Sequence, residues 1–155
     1  MLNTKKKLFD LLKYSQELKK SNKLLSDEDQ EKDLILTDFF ALIENNFHLR
    51  EKDYYLELMN LFLTHKMNAK DFSSYFMAKH EEINQILRDM ENNFEENFDE
   101  LSNLLVEHEK DKLGYSFMFI YNDCYAFNLN AEELHIPEAQ LRNDVKALFA
   151  KLKQL

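Results

Sequence analysis

The sequence is poor in the residues that make tight turns, disulfides and metal cages. Its 155 residues include one glycine (Gly114), one proline (Pro137), one cysteine (Cys124) and no tryptophan. Tight turns and hairpins often need positive φ angles, which glycine adopts most easily, so this composition argues against a β-rich fold and predicts an all-α one. A single cysteine excludes an intramolecular disulfide and a cysteine-based metal cage, and it favours a reducing compartment.

Long apolar runs are also missing. No stretch approaches the roughly 20 apolar residues of a membrane-spanning helix, and the basic N-terminal segment lacks the apolar run of a signal peptide. The chain carries 29 acidic and 20 basic residues, which gives a formal net charge of −9. This balance disfavours direct binding to nucleic acid, because such binding requires basic surface. The sequence therefore predicts a soluble, cytoplasmic protein that contacts neither a membrane nor nucleic acid directly.

Apolar residues recur at helical spacing along most of the chain, and 13 phenylalanines and 7 tyrosines supply material for a core. The length suits one domain, residues 1–155, and the pattern predicts an antiparallel bundle of six or seven helices. A basic N-terminal helical extension is expected over residues 1–48, followed by the bundle proper over residues 49–155. The oligomeric state stays open, with a monomer as the favoured interpretation.

Several helix boundaries can be predicted from capping residues. The expected helices are residues 4–24, a helix from Ser26 to about Asn46, residues 50–66, a helix capped by Asn68 with Asp71 at its third position, a helix from about Phe94 to Gly114, and a final helix beginning at Pro137. The run LGYSFMFIYNDCYAFN before that last helix is predicted to be a helix buried on most sides. Periodicity alone leaves a pair of strands open for this run.

The sequence contains few residues in the spacing of a catalytic or metal-binding motif. The Glu-x-x-His spacing of di-iron bundles occurs once, from Glu132 to His135, in an expected loop and without a second copy. His48 follows Glu44 by four residues, and His65 and His80 are expected on neighbouring helices; surface or half-buried positions are the plainer interpretation for all three. Cys124 lies in an aromatic run and is expected to pack as a small apolar side chain. We expect no metal, no cofactor and no enzymatic activity.

Acidic residues concentrate in residues 81–111, where eleven acids stand against Arg88 and Lys110. Glu91–Glu95, Glu95–Asp99 and Glu96–Glu100 place like charges four residues apart, which costs a helix about 0.2–0.5 kcal/mol per pair. A solvated face is the simplest explanation, and a helix N-terminus would stabilise the acids of its first turn. The alternative is a binding surface for a strongly basic partner protein. The residues assigned to that surface are Glu91, Glu95, Glu96, Asp99, Glu100, Glu107, Glu109 and Asp111, with Tyr75 and Tyr115 as aromatic anchors.

Three segments in the second half of the chain resemble the colicin D-type immunity proteins, which include immunity proteins of contact-dependent growth inhibition systems. LFLTHKMNAKDFSSYFM resembles that family's leucine-rich helix, polar turn and following helix. FMFIYNDCYAF resembles its late helix with an Asp-x-Tyr, here Asp123 and Tyr125. IPEAQLRNDVKALFAKL resembles its closing helix, although Ile136-Pro137 stands where a serine or threonine cap is expected. The first fifty residues have no counterpart in the family.

The resemblance implies a helical bundle that binds and neutralises a cognate toxin domain, typically a nuclease that cleaves transfer RNA. It carries over no catalytic residues, so the contact residues come from the acidic segment of this sequence. Two further interpretations stay open: an inhibitor or phage-encoded regulator that mimics nucleic acid, and a structural helical module whose acids serve solubility. The basic N-terminal helices are open to three roles, which are extending the bundle, pairing with the acidic face or forming a dimer.

Overall fold

The computed structural model describes residues 2–107, 113, 115–129 and 134–155. These residues form eight α-helices and no β-strand, so the predicted all-α helical bundle is confirmed with slightly more helices than expected. The helices are α1 (Leu2–Lys20), α2 (Leu25–Glu28), α3 (Gln30–Arg50), α4 (Lys52–Leu63), α5 (Ala69–Asn92), α6 (Phe94–Glu107), α7 (Ser116–Asn128) and α8 (Glu138–Lys153). None of the helices in the described part of the chain combines the length and apolar character needed to cross a bilayer.

The chain folds into two compact units. Unit 1 comprises Met1–Asn46 and Gln85–Asp111, and unit 2 comprises Phe47–Asn84 and Lys112–Leu155. The sequence placed a boundary near residue 48 and kept residues 49–155 together. In the fold, residues 85–107 pack with the N-terminal segment in unit 1.

Unit 1 is built on the packing of α1 against α6. The ring of Phe9 meets the rings of Phe94 and Phe98 edge-on, with centroid distances of 5.7 and 5.2 Å. The amide of Gln16 also donates a hydrogen bond to the backbone carbonyl of Glu91, over 3.4 Å. The basic N-terminal helix is therefore an integral part of this unit.

The second predicted helix has different bounds in the structure. Ser26 lies inside the short helix α2, and Asp29 precedes α3 and accepts a 3.1 Å hydrogen bond from the backbone N–H of Lys32. The helix also continues past Asn46 to Arg50. The amide of Asn46 is buried and donates a 2.6 Å hydrogen bond to the carbonyl of Leu104. That partner is distant in sequence, so local patterns could not reveal it.

Unit 2 packs α8 against both α4 and α7. Its core includes the stacked rings of Phe62 and Phe72, whose centroids lie 4.4 Å apart. Arg142 of α8 donates a 2.5 Å hydrogen bond to the carbonyl of Phe62, which ties α8 to α4. The predicted cap of α5 is confirmed, since Asn68 Oδ1 accepts a 2.8 Å hydrogen bond from the backbone N–H of Asp71.

The run before the last helix forms the helix α7, but the prediction that it is buried on most sides is wrong. One face is buried and carries Phe117, Ile120 and Cys124. The other face exposes large side chains, namely Tyr115, Met118, Phe119 and Tyr125. The sequence pattern failed here because both faces of the helix are apolar or aromatic.

The scarcity of glycine forces other residues into the left-handed region at two helix ends. Asn22 follows α1 with φ of 56°, and His65 follows α4 with φ of 61°. Both occupy the position where glycine is usual, since the N–H of the next residue bonds a carbonyl five residues back, Lys23 to Leu18 and Lys66 to Leu61. His65 was expected inside a helix, and instead it ends one.

Replacing His65 with glycine is expected to stabilise the protein by about 0.5–1 kcal/mol, because glycine adopts this φ without the steric penalty of a Cβ atom. The measurement is thermal unfolding, where the midpoint should rise by about 1–4 °C. Thr64→Gly is the matched control. Thr64 has φ of −93°, and its hydroxyl donates to the carbonyl of Asn60, so that change should lower the midpoint. A lower midpoint for His65→Gly would contradict the strain argument.

Candidate functional site

The acidic surface of unit 1 is formed mainly by α6. Phe94, Leu101, Leu104 and Leu105 point into the core, and each is at most 5% exposed. The acids lie on the opposite side of the helix and are solvent-exposed; they are Glu95, Glu96, Asp99, Glu100 and Glu107. The amphipathic pattern of the helix fixes this arrangement, since burying the apolar stripe turns the acidic stripe outward.

The start of α6 suits negative charge. Glu95 and Glu96 lie in its first turn, where the partial positive charge of the helix N-terminus stabilises carboxylates. Glu107 is the last residue of the helix, where the helix dipole opposes a carboxylate. The helix dipole therefore favours Glu95 and Glu96 at the start of α6 and disfavours Glu107 at its end.

One of the predicted like-charge pairs, Glu91–Glu95, does not lie within a single helix. A turn at Asn93 separates Glu91 in α5 from Glu95 in α6, so these residues do not form an i,i+4 pair within one helix. The side chain of Asn93 donates to the carbonyl of Asp89 over 3.0 Å. Glu91 is only half-exposed. The pairs Glu95–Asp99 and Glu96–Glu100 both lie within α6, as the sequence predicts.

The other predicted binding residues fall elsewhere. Tyr75 belongs to α5 and Tyr115 directly precedes α7, both in unit 2, with 54% and 68% of their surface exposed. Glu109 and Asp111 lie outside the described residues, as does Glu132 of the Glu-x-x-His match. The two tyrosines and the acids thus belong to different units.

The basic helix α1 neutralises only part of the acidic charge of unit 1. Lys5 of α1 donates a 3.0 Å hydrogen bond to the side chain of Asn103 on α6. Unit 1 nevertheless contains 18 acidic and 10 basic residues, a formal charge of −8, whereas unit 2 contains 11 and 10, a charge of −1. The net charge of the protein is therefore concentrated in unit 1.

Comparisons with known proteins identify no relative. No family model matches the chain, and neither a curated protein nor a solved structure shows significant similarity to it.

Unit 2 contains a buried stack of rings that includes two histidines. His48 and His80 are 0% and 1% exposed, and their rings stack with centroids 4.5 Å apart. Tyr55 bonds His48 Nδ1 through its hydroxyl over 2.7 Å, and Tyr121 stacks on His80 at 4.6 Å. The expectation of surface or half-buried histidines is wrong for both. A signal was present for His80, which lies four residues after Phe76 and three before Ile83 on the apolar stripe of α5.

Tyr121 extends from this stack to the surface. Its hydroxyl donates a 2.6 Å hydrogen bond to the carboxylate of Glu81. That bond, together with partial burial, raises the pKa of Tyr121 to about 12. The phenol therefore stays protonated at neutral pH and acts as a structural donor.

A pair of carboxyl groups joins α7 to α8. Asp123 is 7% exposed, and its carboxyl group lies beside that of Asp144. The Oδ2 atoms of both residues are buried without a hydrogen-bond partner among the described residues. Burial first, and then the neighbouring carboxyl group of Asp144, raise the pKa of Asp123 to about 7. Two carboxylates hold no donor, so a hydrogen bond between them requires a proton on one of them. Sequence analysis missed this pair, although Asp123 lies within the apolar stripe that includes Ile120 and Cys124.

Cys124 packs as the sequence predicts, as a buried side chain with 0% exposure. Burial raises the pKa of its thiol to about 12. The thiol is protonated at neutral pH, and a nucleophilic role requires the thiolate. Cys124 therefore contributes to packing.

Proposed function

We propose that this chain is an immunity protein that binds a nuclease toxin domain and blocks the groove in which the nuclease holds its substrate. The observation that carries the proposal is the row of exposed carboxylates on α6, in a unit whose formal charge is −8. A nuclease groove must be positively charged, because it binds the phosphates of nucleic acid. A row of carboxylates on a rigid helix complements such a groove.

The arrangement of the acids supports binding over solubility alone. Acids scattered over both units would serve solubility equally well, yet unit 2 is close to neutral. In unit 1, Glu95 and Asp99 of α6 lie at i,i+4 spacing, where like charges repel and cost free energy in the unbound protein. A basic partner would remove this repulsion, so part of the binding energy would come from relieving it.

The proposed mechanism is electrostatic and steric. Long-range attraction between the acidic unit and the basic groove accelerates encounter, and it weakens as salt screens the charges. In the complex the carboxylates of α6 pair with lysine and arginine side chains that would otherwise hold phosphates. Consecutive acids of the stripe, such as Glu96 and Glu100, lie one helical turn apart, roughly 5.4 Å along the axis. RNA is excluded because the helix occupies its place.

The resemblance of the second half of the chain to colicin D-type immunity proteins gives the proposal its finer form. The target would be the C-terminal toxin domain of a bacteriocin or of a contact-dependent growth inhibition system, with transfer RNA as its substrate. The immunity protein would act in the cytoplasm of the cell that produces the toxin.

The test is a binding and activity assay with the C-terminal domain of the protein encoded directly upstream. We expect the two proteins to co-purify and the isolated domain to cleave RNA, with cleavage lost at an equimolar amount of this chain. A domain that cleaves RNA equally well in the presence of this chain would contradict the proposal. Tight binding to a basic protein without nuclease activity would favour a regulator that mimics nucleic acid.

A further inference from the structure

A small groove in unit 2 combines two tyrosine rings with a carboxylate. Its volume is about 220 Å³, and α4, the loop that follows it and α5 supply its walls. We call it the tyrosine groove; its lining residues are Tyr54, Glu57, Leu58, Leu61, Met67 and Tyr75. Pockets for small-molecule ligands are larger, about 300–1,000 Å³, so the groove has the size to hold a single side chain.

The groove has both apolar walls and negative charge. Tyr54 and Tyr75 are 38% and 54% exposed, so a partner can reach both rings from solvent. Leu58 beneath them is buried. Glu57 is exposed, and its carboxylate makes no hydrogen bond or ion pair with any residue that the structure describes.

A neighbouring contact indicates what these groups attract. The ammonium group of Lys79 lies 5.0 Å from the centroid of the Tyr54 ring, within the range of a cation–π contact. The same group pairs with the carboxylates of Glu51 and Glu82, at 3.6 and 3.5 Å. Lys79 does not line the groove, and it does not pair with Glu57. The ammonium group of Lys79 is thus held by a tyrosine ring and carboxylates. The adjacent groove offers the same kinds of group, tyrosine rings and a carboxylate, and no lysine or arginine of the described residues lines it.

We propose that the tyrosine groove binds an arginine side chain of a partner protein. The planar guanidinium group can stack on a tyrosine ring, and its N–H groups can donate to the carboxylate of Glu57. The apolar stem would lie against Leu58, Leu61 and Met67. Arginine fits better than lysine because its cation is planar and more weakly hydrated, so it loses less on leaving water.

This inference deepens the proposed function, because a nuclease that binds phosphates carries arginine on its surface. The choice of a nuclease as the partner rests on the proposed function. The tyrosine groove itself can be tested without any toxin. The sequence predicts Tyr75 as an aromatic anchor, and the neighbouring Tyr54 and Glu57 make that anchor suited to a cation.

The first experiment titrates the protein with Nα-acetyl-arginine methylamide and follows the ring resonances of the tyrosines and the methyl resonance of Met67 by NMR. We expect saturable shifts at Tyr54, Tyr75 and Met67, with an affinity in the millimolar range that is typical of one exposed side chain. The control compound is Nα-acetyl-citrulline methylamide, which has nearly the same shape but no charge. Equal shifts with both compounds, or shifts spread over all tyrosines, would overturn the inference.

Three variants locate the binding. Tyr75→Ala and Glu57→Gln should each weaken binding of the arginine compound by about fivefold, the loss of one cation–π or ionic contact. Tyr125→Ala is the matched control, because Tyr125 lies in the same unit and is also 54% exposed. Unchanged binding in both Tyr75→Ala and Glu57→Gln would also refute a site at this groove.

The same variants separate this inference from the proposed function. If the arginine compound binds and no toxin is neutralised, the tyrosine groove stands and the immunity function fails. If the toxin is neutralised with equal affinity by the protein and by the Tyr75→Ala and Glu57→Gln variants, the immunity function stands and the tyrosine groove has no part in it.

Discussion

Reversing three charges on α6 is expected to weaken toxin binding by about 100- to 1,000-fold, which corresponds to roughly 3–4 kcal/mol. The variant is Glu96→Lys, Asp99→Lys and Glu107→Lys. All three positions are exposed, so the apolar core is untouched. Glu96 lies in the first turn of the helix and Glu107 at its end, so the effects of the two reversals on the helix dipole offset each other. The loss of affinity can then be assigned to the interface.

The control variant reverses three exposed acids elsewhere in unit 1, Glu28→Lys, Glu31→Lys and Asp38→Lys. Both variants change the formal net charge from −9 to −3, so they reduce long-range steering to a similar extent. Association and dissociation rates should be measured by surface-based or stopped-flow kinetics at several salt concentrations. The α6 variant should dissociate much faster, and its affinity should depend less on the salt concentration. The control should mainly associate more slowly. Similar losses in both variants would show that only net charge matters and that α6 is not the interface.

The second large effect expected is a loss of stability as the pH rises through the titration of Asp123. The pKa of this buried carboxyl group rises from 3.8 to about 7 on folding. The folded protein therefore holds more protons than the unfolded chain between these values, and the free energy of unfolding falls as the pH increases across that window. Above pH 7 Asp123 carries a negative charge within the contact between α7 and α8.

Asp123→Asn should remove this dependence. The asparagine amide can donate a hydrogen bond to Asp144 at any pH, so no proton is needed to hold the pair together. Relative to the unsubstituted protein, the variant should gain on the order of 2 kcal/mol between pH 5 and pH 8. Urea unfolding at pH 5, 6, 7 and 8 measures the difference, and titration of other groups cancels because both proteins share them.

Asp144→Asn provides an independent check, since it changes the same pair from α8. Asp53→Asn is the negative control, because Asp53 is an exposed acid of the same unit. The stability of Asp53→Asn should change with pH in parallel with that of the unsubstituted protein. Parallel pH profiles for Asp123→Asn and the unsubstituted protein would contradict the raised pKa of Asp123.

The charge distribution also explains how a basic and an acidic helix coexist in one unit. α1 and α6 contact each other through Phe9, Phe94 and Phe98, so apolar surface drives their packing. Lysines of α1 then lower the repulsion within unit 1 without cancelling it. A partner that offers more positive charge than α1 would still find an acidic surface on the exposed side of α6.

Much of the fold could be predicted because its causes are local. Helical spacing of apolar residues and the near absence of glycine and proline indicated an all-α chain. Asn68 and Asp71 are three residues apart, so the cap of α5 was visible in the sequence. The exposed acids of α6 followed from the same periodicity, since a buried stripe defines its opposite face.

Other features depend on residues that are distant in the sequence. The sequence alone determined the helical class, most helix positions and the acidic segment, because each follows from residues within a few helical turns. Only the tertiary structure decided that α3 runs on past Asn46, that His48 and His80 stack, and that Asp123 meets Asp144. It also decided that residues 85–107 belong with the N-terminal segment, and that Tyr75 faces a groove with Tyr54 and Glu57. In each case the groups that meet lie on different helices, so the packing of those helices, rather than the local pattern, decided the result.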